Sequence, residues 1–166
     1  SKLNFEKNKI IKAVRECSFE KLSQQEAKSG FIEANGNQKF FFLGDELDEL
    51  QYGSPTLTRV FDLSSLSNPK LHLSYFGGVN AIDHNGYVVG NKFYLASYTA
   101  GLRVLDLSQV ENKNLKEIGF FDTYPPNNNP KFNGVWNVYP FFKSGIIAIN
   151  DIDSGLFLVK ASDKDE

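Results

Sequence analysis

A motif that occurs twice constrains the fold of this chain more than any other sequence feature. The segments TRVFDLSS (residues 58–65) and GLRVLDLS (101–108) each place apolar residues before an Asp-Leu-Ser ending, and Asp62 and Asp106 are 44 positions apart. A third segment, GLFLVKAS (155–162), aligns with the second through its Gly-Leu start, 54 positions later. A spacing of this size is typical of a chain built from repeated structural units.

The third copy is displaced by about ten extra residues, and the segment YPPNNNPKFNG, residues 124–134, accounts for them. Its three prolines, three consecutive asparagines and terminal glycine disfavour both helix and strand. We therefore expect an exposed loop, inserted into an underlying period of about 44 residues.

Within each period the apolar runs are short, rich in aromatic and β-branched residues, and separated by turn residues, which favours strands over helices. Four antiparallel strands in roughly 40 to 50 residues match one blade of a β-propeller. Between residues 80 and 124 the strands are predicted in AIDHNGYVVG, NKFYLASYT, GLRVLDLS and LKEIGFFDT.

The predicted fold is all-β: a β-propeller segment of about three to four four-stranded antiparallel blades, over residues 38–79, 80–124 and 134–166. The first blade carries KFFFLGDELDE, LTRVFDLS and KLHLSYFGG as strands, the last of which places His72 on an outer strand. The last blade carries GVWNVYPFF, GIIAINDI and GLFLVKAS, so its fourth strand must be absent or donated by another segment. The side chains expected to be buried between blades are Phe93, Leu95, Leu102, Val104, Ile147 and Phe157.

The first 37 residues are predicted to form a less regular amino-terminal segment. The run NKIIKAV, residues 8–14, is interpreted as an outer strand of a preceding blade. The run SFEKLSQQEAKSG, residues 18–30, has a serine start, polar helix-forming residues and a terminal glycine, which favours one short helix.

The charge balance excludes some classes of partner. Lys and Arg number 18 against 20 Asp and Glu, a formal net charge of −2, so the chain lacks the positive surplus that binds nucleic acid backbones. No apolar run approaches the roughly 18 residues that cross a bilayer. We expect neither a nucleic acid partner nor a membrane span in this sequence.

Completeness is a separate expectation. The sequence contains no methionine and starts at Ser1, which leads us to expect a processed or excised piece. A propeller ring usually has four to eight blades, and an open ring exposes apolar flanks and strand edges. We expect another protein chain, or the missing part of the same precursor, to complete the propeller against the flank nearest residues 1–40.

Several segments share an order with a known family. The run DHNGYVVGNKFYLASYTAGLRVLDLS is preceded by GDELDE and followed by FDTYP, GVWNVYPFFKSG and DIDSGLFLVK. Together, over roughly residues 38–160, they resemble the carboxy-terminal half of the choice-of-anchor B proteins, bacterial surface proteins built from LVIVD-type repeats. The chain departs from the family at Cys17, where CSFEKLS replaces a Cys-His pair and a following Trp. The resemblance implies a secreted or surface-displayed propeller and no defined reaction.

Two groups of acids suit calcium, which prefers hard oxygen ligands around a glycine turn. Neither group has the full spacing of a calcium-binding loop, and acids at strand ends also discourage edge-to-edge pairing of sheets. We therefore expect no cofactor and interpret these acids as solvated charges at strand ends, with calcium as the alternative. The acids are Asp45, Glu46, Asp48 and Glu49 in one group and Asp151 and Asp153 in the other.

The run Asp83-His84-Asn85 is the one candidate for acid–base chemistry, because a carboxylate can orient an imidazole. Adjacent strand residues point to opposite faces, so Asp83 and His84 are not expected to pair with each other, and a hydrogen bond between blades is the alternative for His84. The aromatic residues Trp136, Tyr139, Phe141 and Phe142 are candidates for a surface that stacks on a glycan, and packing between blades is the alternative for them.

The sequence contains no nucleophile elbow, no metal-type histidine spacing and no glycine-rich phosphate loop. The leading hypothesis is a non-catalytic, extracellular or cell-surface propeller module that mediates protein interaction or structural assembly. The alternative is a propeller-borne hydrolase or lyase that uses a channel-facing His84 and nearby acids. Convergence of His84, Asp83 and another acid in one pocket would favour the enzyme.

Overall fold

The computed structural model describes residues 4–11, 31–34, 37–44 and 46–162, with side chains for 39–44, 46–47 and 49–162. The described residues form strands, one short helix, α1 (Asp48–Tyr52), and a 3-10 helix over Val110–Asn112. The strands are β1 (Asn4–Ile11), β2 (Phe31–Ala34), β3 (Asn37–Gly44), β4 (Leu57–Asp62), β5 (Lys70–Phe76), β6 (Asn85–Val89), β7 (Lys92–Ala96), β8 (Leu102–Asp106), β9 (Lys116–Phe121), β10 (Val135–Tyr139), β11 (Ile146–Asp151) and β12 (Gly155–Ser162).

These strands make three four-stranded sheets in which every pair is antiparallel. Sheet 1 has the order β2-β3-β4-β5, sheet 2 has β6-β7-β8-β9, and sheet 3 has β10-β11-β12-β1. The all-β, antiparallel prediction is confirmed, and each of the four segments predicted as strands between residues 80 and 124 contains one strand of sheet 2. The segment 124–134 contains no helix or strand and connects sheets 2 and 3.

The start of the chain supplies the fourth strand of sheet 3. Residues of β1 pair with β12 in a register that runs from Asn4 opposite Ser162 to Ile11 opposite Leu156. Donation by another segment is thus confirmed. For residues 8–11 the interpretation as the outer strand of a preceding blade is wrong, because the backbone of β1 completes the last sheet, and residues 12–14 lie outside the described residues. The helix expected over residues 18–30 lies outside the described residues.

The strand predicted through KFFFLGDELDE is too long. Strand β3 ends at Gly44, and α1 follows where the alternation of apolar and polar residues is lost. Gly53 ends the helix with a φ of +64°, and its N–H donates to the Glu49 carbonyl at 3.1 Å.

The core lies between the sheets as two apolar clusters, one between sheets 1 and 2 and one between sheets 2 and 3. Burial of the six predicted core residues is confirmed, since each is at most 4% exposed. Phe93 and Leu95 belong to the cluster between sheets 1 and 2. The cluster between sheets 2 and 3 contains Leu102, Val104, Ile147 and Phe157.

The Asp-Leu-Ser motif has the same geometry at both of its occurrences. The Ser64 N–H donates to Asp62 Oδ1 at 2.8 Å, and the Ser108 N–H donates to Asp106 Oδ1 at 2.9 Å. These local turns end β4 and β8, which occupy the third position in their sheets, as β12 does in sheet 3. Among the residues that the structure describes, no helix has the length and apolar character to cross a membrane.

Candidate functional site

One polar and aromatic cluster draws side chains from segments of all three sheets. Glu46 follows β3, His84 precedes β6, Tyr98 lies between β7 and β8, Phe132 lies between β9 and β10, and Trp136 is in β10. We refer to these five residues as the junction cluster. It lies at the end of the sheets where β6 begins and β7 ends, because His84 and Tyr98 flank those two strand ends.

A single carboxylate oxygen holds the polar part of the junction cluster together. Glu46 Oε1 accepts a hydrogen bond from Tyr98 Oη at 2.7 Å and lies 2.7 Å from His84 Nδ1. An Nδ1–H that donates to this carboxylate leaves Nε2 of a neutral imidazole as an acceptor. Burial raises the pKa of the Tyr98 hydroxyl, and its hydrogen bond to Glu46 and the charge of that carboxylate raise the pKa further. Tyr98 is therefore a neutral donor.

Aromatic rings surround the imidazole. The His84 ring lies 5.2 Å from the Tyr98 ring and 5.8 Å from the Trp136 ring, with an interplanar angle of 21° to the indole. Phe132 meets Tyr98 edge-on at 5.2 Å. The His84 side chain retains 20% exposure, so the imidazole is enclosed by contacts but still reaches solvent.

Tyr98 has a backbone conformation that is rare for a bulky residue, with a φ of +25°. Its carbonyl accepts from the Gly101 N–H at 3.0 Å and from the Val135 N–H at 2.9 Å, which ties the β7–β8 turn to the start of β10. A Cβ at Gly134, whose φ is +81°, would lie 2.5 Å from the Tyr98 carbonyl oxygen. The close approach of the two backbones therefore requires glycine at this position.

Asp83 occupies a different environment from its neighbour His84. Its side chain is 1% exposed, and Oδ2 accepts from the Thr58 hydroxyl at 2.7 Å. Burial raises the pKa of Asp83 to about 7, against the opposing effect of the Thr58 hydroxyl. Since His84 contacts Glu46 instead, the prediction that Asp83 and His84 do not pair is confirmed, and the hydrogen bond of His84 links segments of sheets 1 and 2.

Of the five predicted binding residues, His84 and Trp136 are brought together, and Glu46 from the predicted metal group joins them. Asn85 begins β6, opposite Ala96. Tyr139 is at the other end of β10, where its ring contacts Phe141 at 5.3 Å and Phe142 at 5.0 Å. His72 lies on β5, the outer strand of sheet 1, as predicted.

The second group of acids makes turn contacts. Asp151 Oδ1 accepts from the N–H groups of Asp153 and Ser154, and Asp153 Oδ2 accepts from the Gly134 N–H at 2.9 Å. These bonds shape the β11–β12 turn and attach it to the start of β10. Thr123 donates to the remaining Asp151 oxygen at 2.5 Å.

The first group of acids is divided. Glu46 is in the junction cluster, whereas Glu49 lies in α1 and is 2% exposed. Asp45 and the side chain of Asp48 lie outside the described residues. Within the described part of the chain, no three His, Cys, Asp or Glu side chains form a group suited to a metal ion. Calcium stays a prediction.

Sequence reasoning missed Tyr98, Phe132 and Thr58 as members of these sites. Tyr98 contacts a carboxylate 52 positions earlier in the chain, and no local motif marks such a distant pair. The one available signal was the Ala100-Gly101 turn beside Tyr98, which indicates a tight hairpin but not which side chain it presents.

The arrangement at Glu46 and His84 can orient an imidazole for proton transfer. A small cavity of about 10 Å³ lies between sheets 1 and 2, and an open groove of about 510 Å³ lies beside the β6–β7 turn. Neither cavity is lined by a residue of the junction cluster. The His84 imidazole joins segments of all three sheets, because it contacts Glu46 after β3 and stacks on Trp136 in β10.

Comparisons with protein-family models, with curated protein sequences and with solved structures found no match.

Proposed function

We propose that this chain is a non-catalytic interaction module, a β-propeller segment at the cell surface or outside the cell, that binds a protein partner through its outer sheet faces. One observation carries the proposal: positions that are buried where two sheets meet recur, in the same register, as exposed or partly exposed apolar residues on the first and last sheets. The extracellular location is supported by the family resemblance.

The last sheet presents one such face. The Gly-Leu alignment of β8 with β12 makes Leu156 equivalent to Leu102 and Leu158 equivalent to Val104. Leu102 and Val104 are fully buried against sheet 3. Leu156 and Leu158 point away from that junction and are partly exposed. With Ala148, which pairs with Leu158, they form what we call the last outer face.

The first sheet has an apolar face on the side that points away from sheet 2. The 44-residue spacing makes Phe61 equivalent to Leu105, and cross-strand register makes Leu43 equivalent to Leu95. Leu95 and Leu105 are buried against sheet 1, whereas Leu43 is 41% exposed and Phe61 is partly exposed. With Leu71, which pairs with Phe61, they form what we call the first outer face. Apolar faces of this kind mark interaction surfaces.

A photo-crosslinking residue tests the proposal. p-Benzoylphenylalanine at position 158 should crosslink to a defined protein partner when the chain is in its native setting. The same residue at position 66, where Leu66 is 80% exposed in the β4–β5 turn, is the matched control. Equal yields at the two positions, or no adduct at position 158, would contradict an interaction surface there.

A hydrolase or lyase is the second candidate, supported by the 2.7 Å contact between Glu46 and His84. It requires turnover that His84→Gln abolishes and that His72→Gln, on an outer strand, leaves unchanged. A panel of ester, glycoside and uronate substrates with the purified chain makes the comparison. Turnover that survives His84→Gln would exclude this imidazole as the base.

A further inference from the structure

We propose that the partner of the outer faces is a second copy of this chain, and that two copies close a ring of six sheets. In this ring the last outer face of each copy packs on the first outer face of the other. The inference rests on the proposed function, because it names the partner of the same surfaces.

The two junctions inside the chain show what a third junction would need. Leu102 and Val104 of sheet 2 pack against Ile147 and Phe157 of sheet 3. Val60 of sheet 1 packs against sheet 2 in the same way. We call the face that a sheet packs against the next sheet its forward face, and the face that it packs against the preceding sheet its backward face. Each junction therefore joins the forward face of one sheet to the backward face of the next.

Among the described residues, the first and last sheets each leave one such face without a neighbouring sheet. The last outer face is a forward face, because Leu156 and Leu158 correspond to Leu102 and Val104. The first outer face is a backward face, because Phe61 and Leu43 correspond to Leu105 and Leu95, which pack against sheet 1. Leu71, which is 55% exposed to solvent, adds a further apolar side chain to this backward face. Two copies of the three described sheets thus supply complementary surfaces to each other.

Closure fixes the number of copies. A contact between two different surfaces forms either a closed ring or an open filament. Propellers close with about four to eight blades, so two copies of three sheets fall within this range and three copies do not. A ring of two copies has a two-fold axis and contains the same junction twice.

Size-exclusion chromatography with light scattering measures the assembly directly. The purified chain is expected at twice its 18.7 kDa mass. Leu158→Asp and Leu43→Asp each place a charge in both junctions of the ring, so each variant alone should be monomeric. Leu66→Asp adds the same charge at an exposed turn and should stay dimeric. Far-UV circular dichroism confirms that each variant is folded.

Mixing the two monomeric variants gives the decisive result. A Leu158→Asp copy retains an intact first outer face and a Leu43→Asp copy retains an intact last outer face, so one unmodified junction can form. We expect the mixture to recover a dimer. A monomeric wild-type chain, a Leu43→Asp variant that stays dimeric, or a mixture that stays monomeric would each overturn the ring.

The outcomes separate the two proposals. A monomeric chain that crosslinks at position 158 to a different protein would overturn the second copy and keep the interaction module. A monomeric chain without any adduct would contradict both.

Discussion

Replacing Asp83 by asparagine should make the protein more stable at pH 8 and leave its stability nearly unchanged at pH 4. The Asp83 carboxyl is almost completely buried, with the Thr58 hydroxyl donating to Oδ2. Burial raises the pKa of Asp83 from an ordinary 3.8 to about 7. An asparagine side-chain oxygen can accept the same hydrogen bond without the cost of a buried charge.

The size and sign of the effect follow from proton linkage. Between pH 3.8 and about pH 7 the folded chain binds more protons at Asp83 than the unfolded chain, so stability falls as pH rises through this window. A shift of about three pKa units at about 1.4 kcal/mol each gives a loss of about 4 kcal/mol as an upper limit. Above about pH 7 the loss is complete. Asp83→Asn should therefore stabilise the chain at pH 8 by about 2 to 4 kcal/mol.

Urea denaturation of wild type and Asp83→Asn at pH 4 and pH 8, followed by far-UV circular dichroism, measures the difference. Thr58→Val removes the donor that favours the charged carboxylate, so its loss of stability between the two pH values should exceed that of wild type. Asp106→Asn removes one negative charge at a turn and controls for net charge. If Asp83→Asn changed the free energy of unfolding equally at both pH values, the reasoning about burial would be wrong.

Three further predictions concern the junction cluster, the backbone beside it and calcium. Tyr98→Phe deletes the hydrogen bond to Glu46 and should lower the free energy of unfolding in urea by about 1 kcal/mol, whereas no change would mean that this bond adds nothing to stability. Gly134→Ala should cost more than Gly78→Ala in the same assay, by about 2 kcal/mol. Both glycines have a positive φ, but only an alanine Cβ at position 134 meets a backbone oxygen, so equal losses would contradict the close approach. If calcium binds either acidic group, excess chelator should lower the melting temperature by mass action, and an unchanged curve would count against a structural calcium.

The sheets could be predicted from sequence because their determinants are local. Residues of β7 and β8 alternate between two faces, and a Gly-Asn turn and an Asp-Leu-Ser turn mark their ends. Both signals lie within about ten residues, so they can be recognised from a short segment of sequence alone. The helix α1 was missed because the four acids before Leu50 suggested a charged strand end, and a helix of five residues is too short to show a periodic apolar face.

The candidate site could be predicted only in part, because its contacts join distant segments. His84 and Trp136 were singled out by residue type, but their proximity depends on how sheet 3 packs on sheet 2. The role of Glu46 as an acceptor shared by His84 and Tyr98 depends on the position of sheet 1. Likewise, β1 was recognised as a strand, and only long-range pairing could show that it joins β12.

Alternation of apolar residues gives two sheet faces that pack together, but it leaves their relative orientation open, because dispersion and desolvation have little directional preference. Hydrogen bonds between sheets supply that direction. Sheet 1 is fixed to sheet 2 at both ends, by Thr58 with Asp83 at one end and by Lys39 with Glu111, at 2.7 Å, at the other. Buried bonds discriminate more strongly than exposed ones, because a misaligned Asp83 would lose its acceptor role inside the protein, whereas Lys39 would exchange its partner for water. The end that holds Asp83 and the junction cluster therefore contributes more to the packing angle of sheets 1 and 2 than the end that holds Lys39.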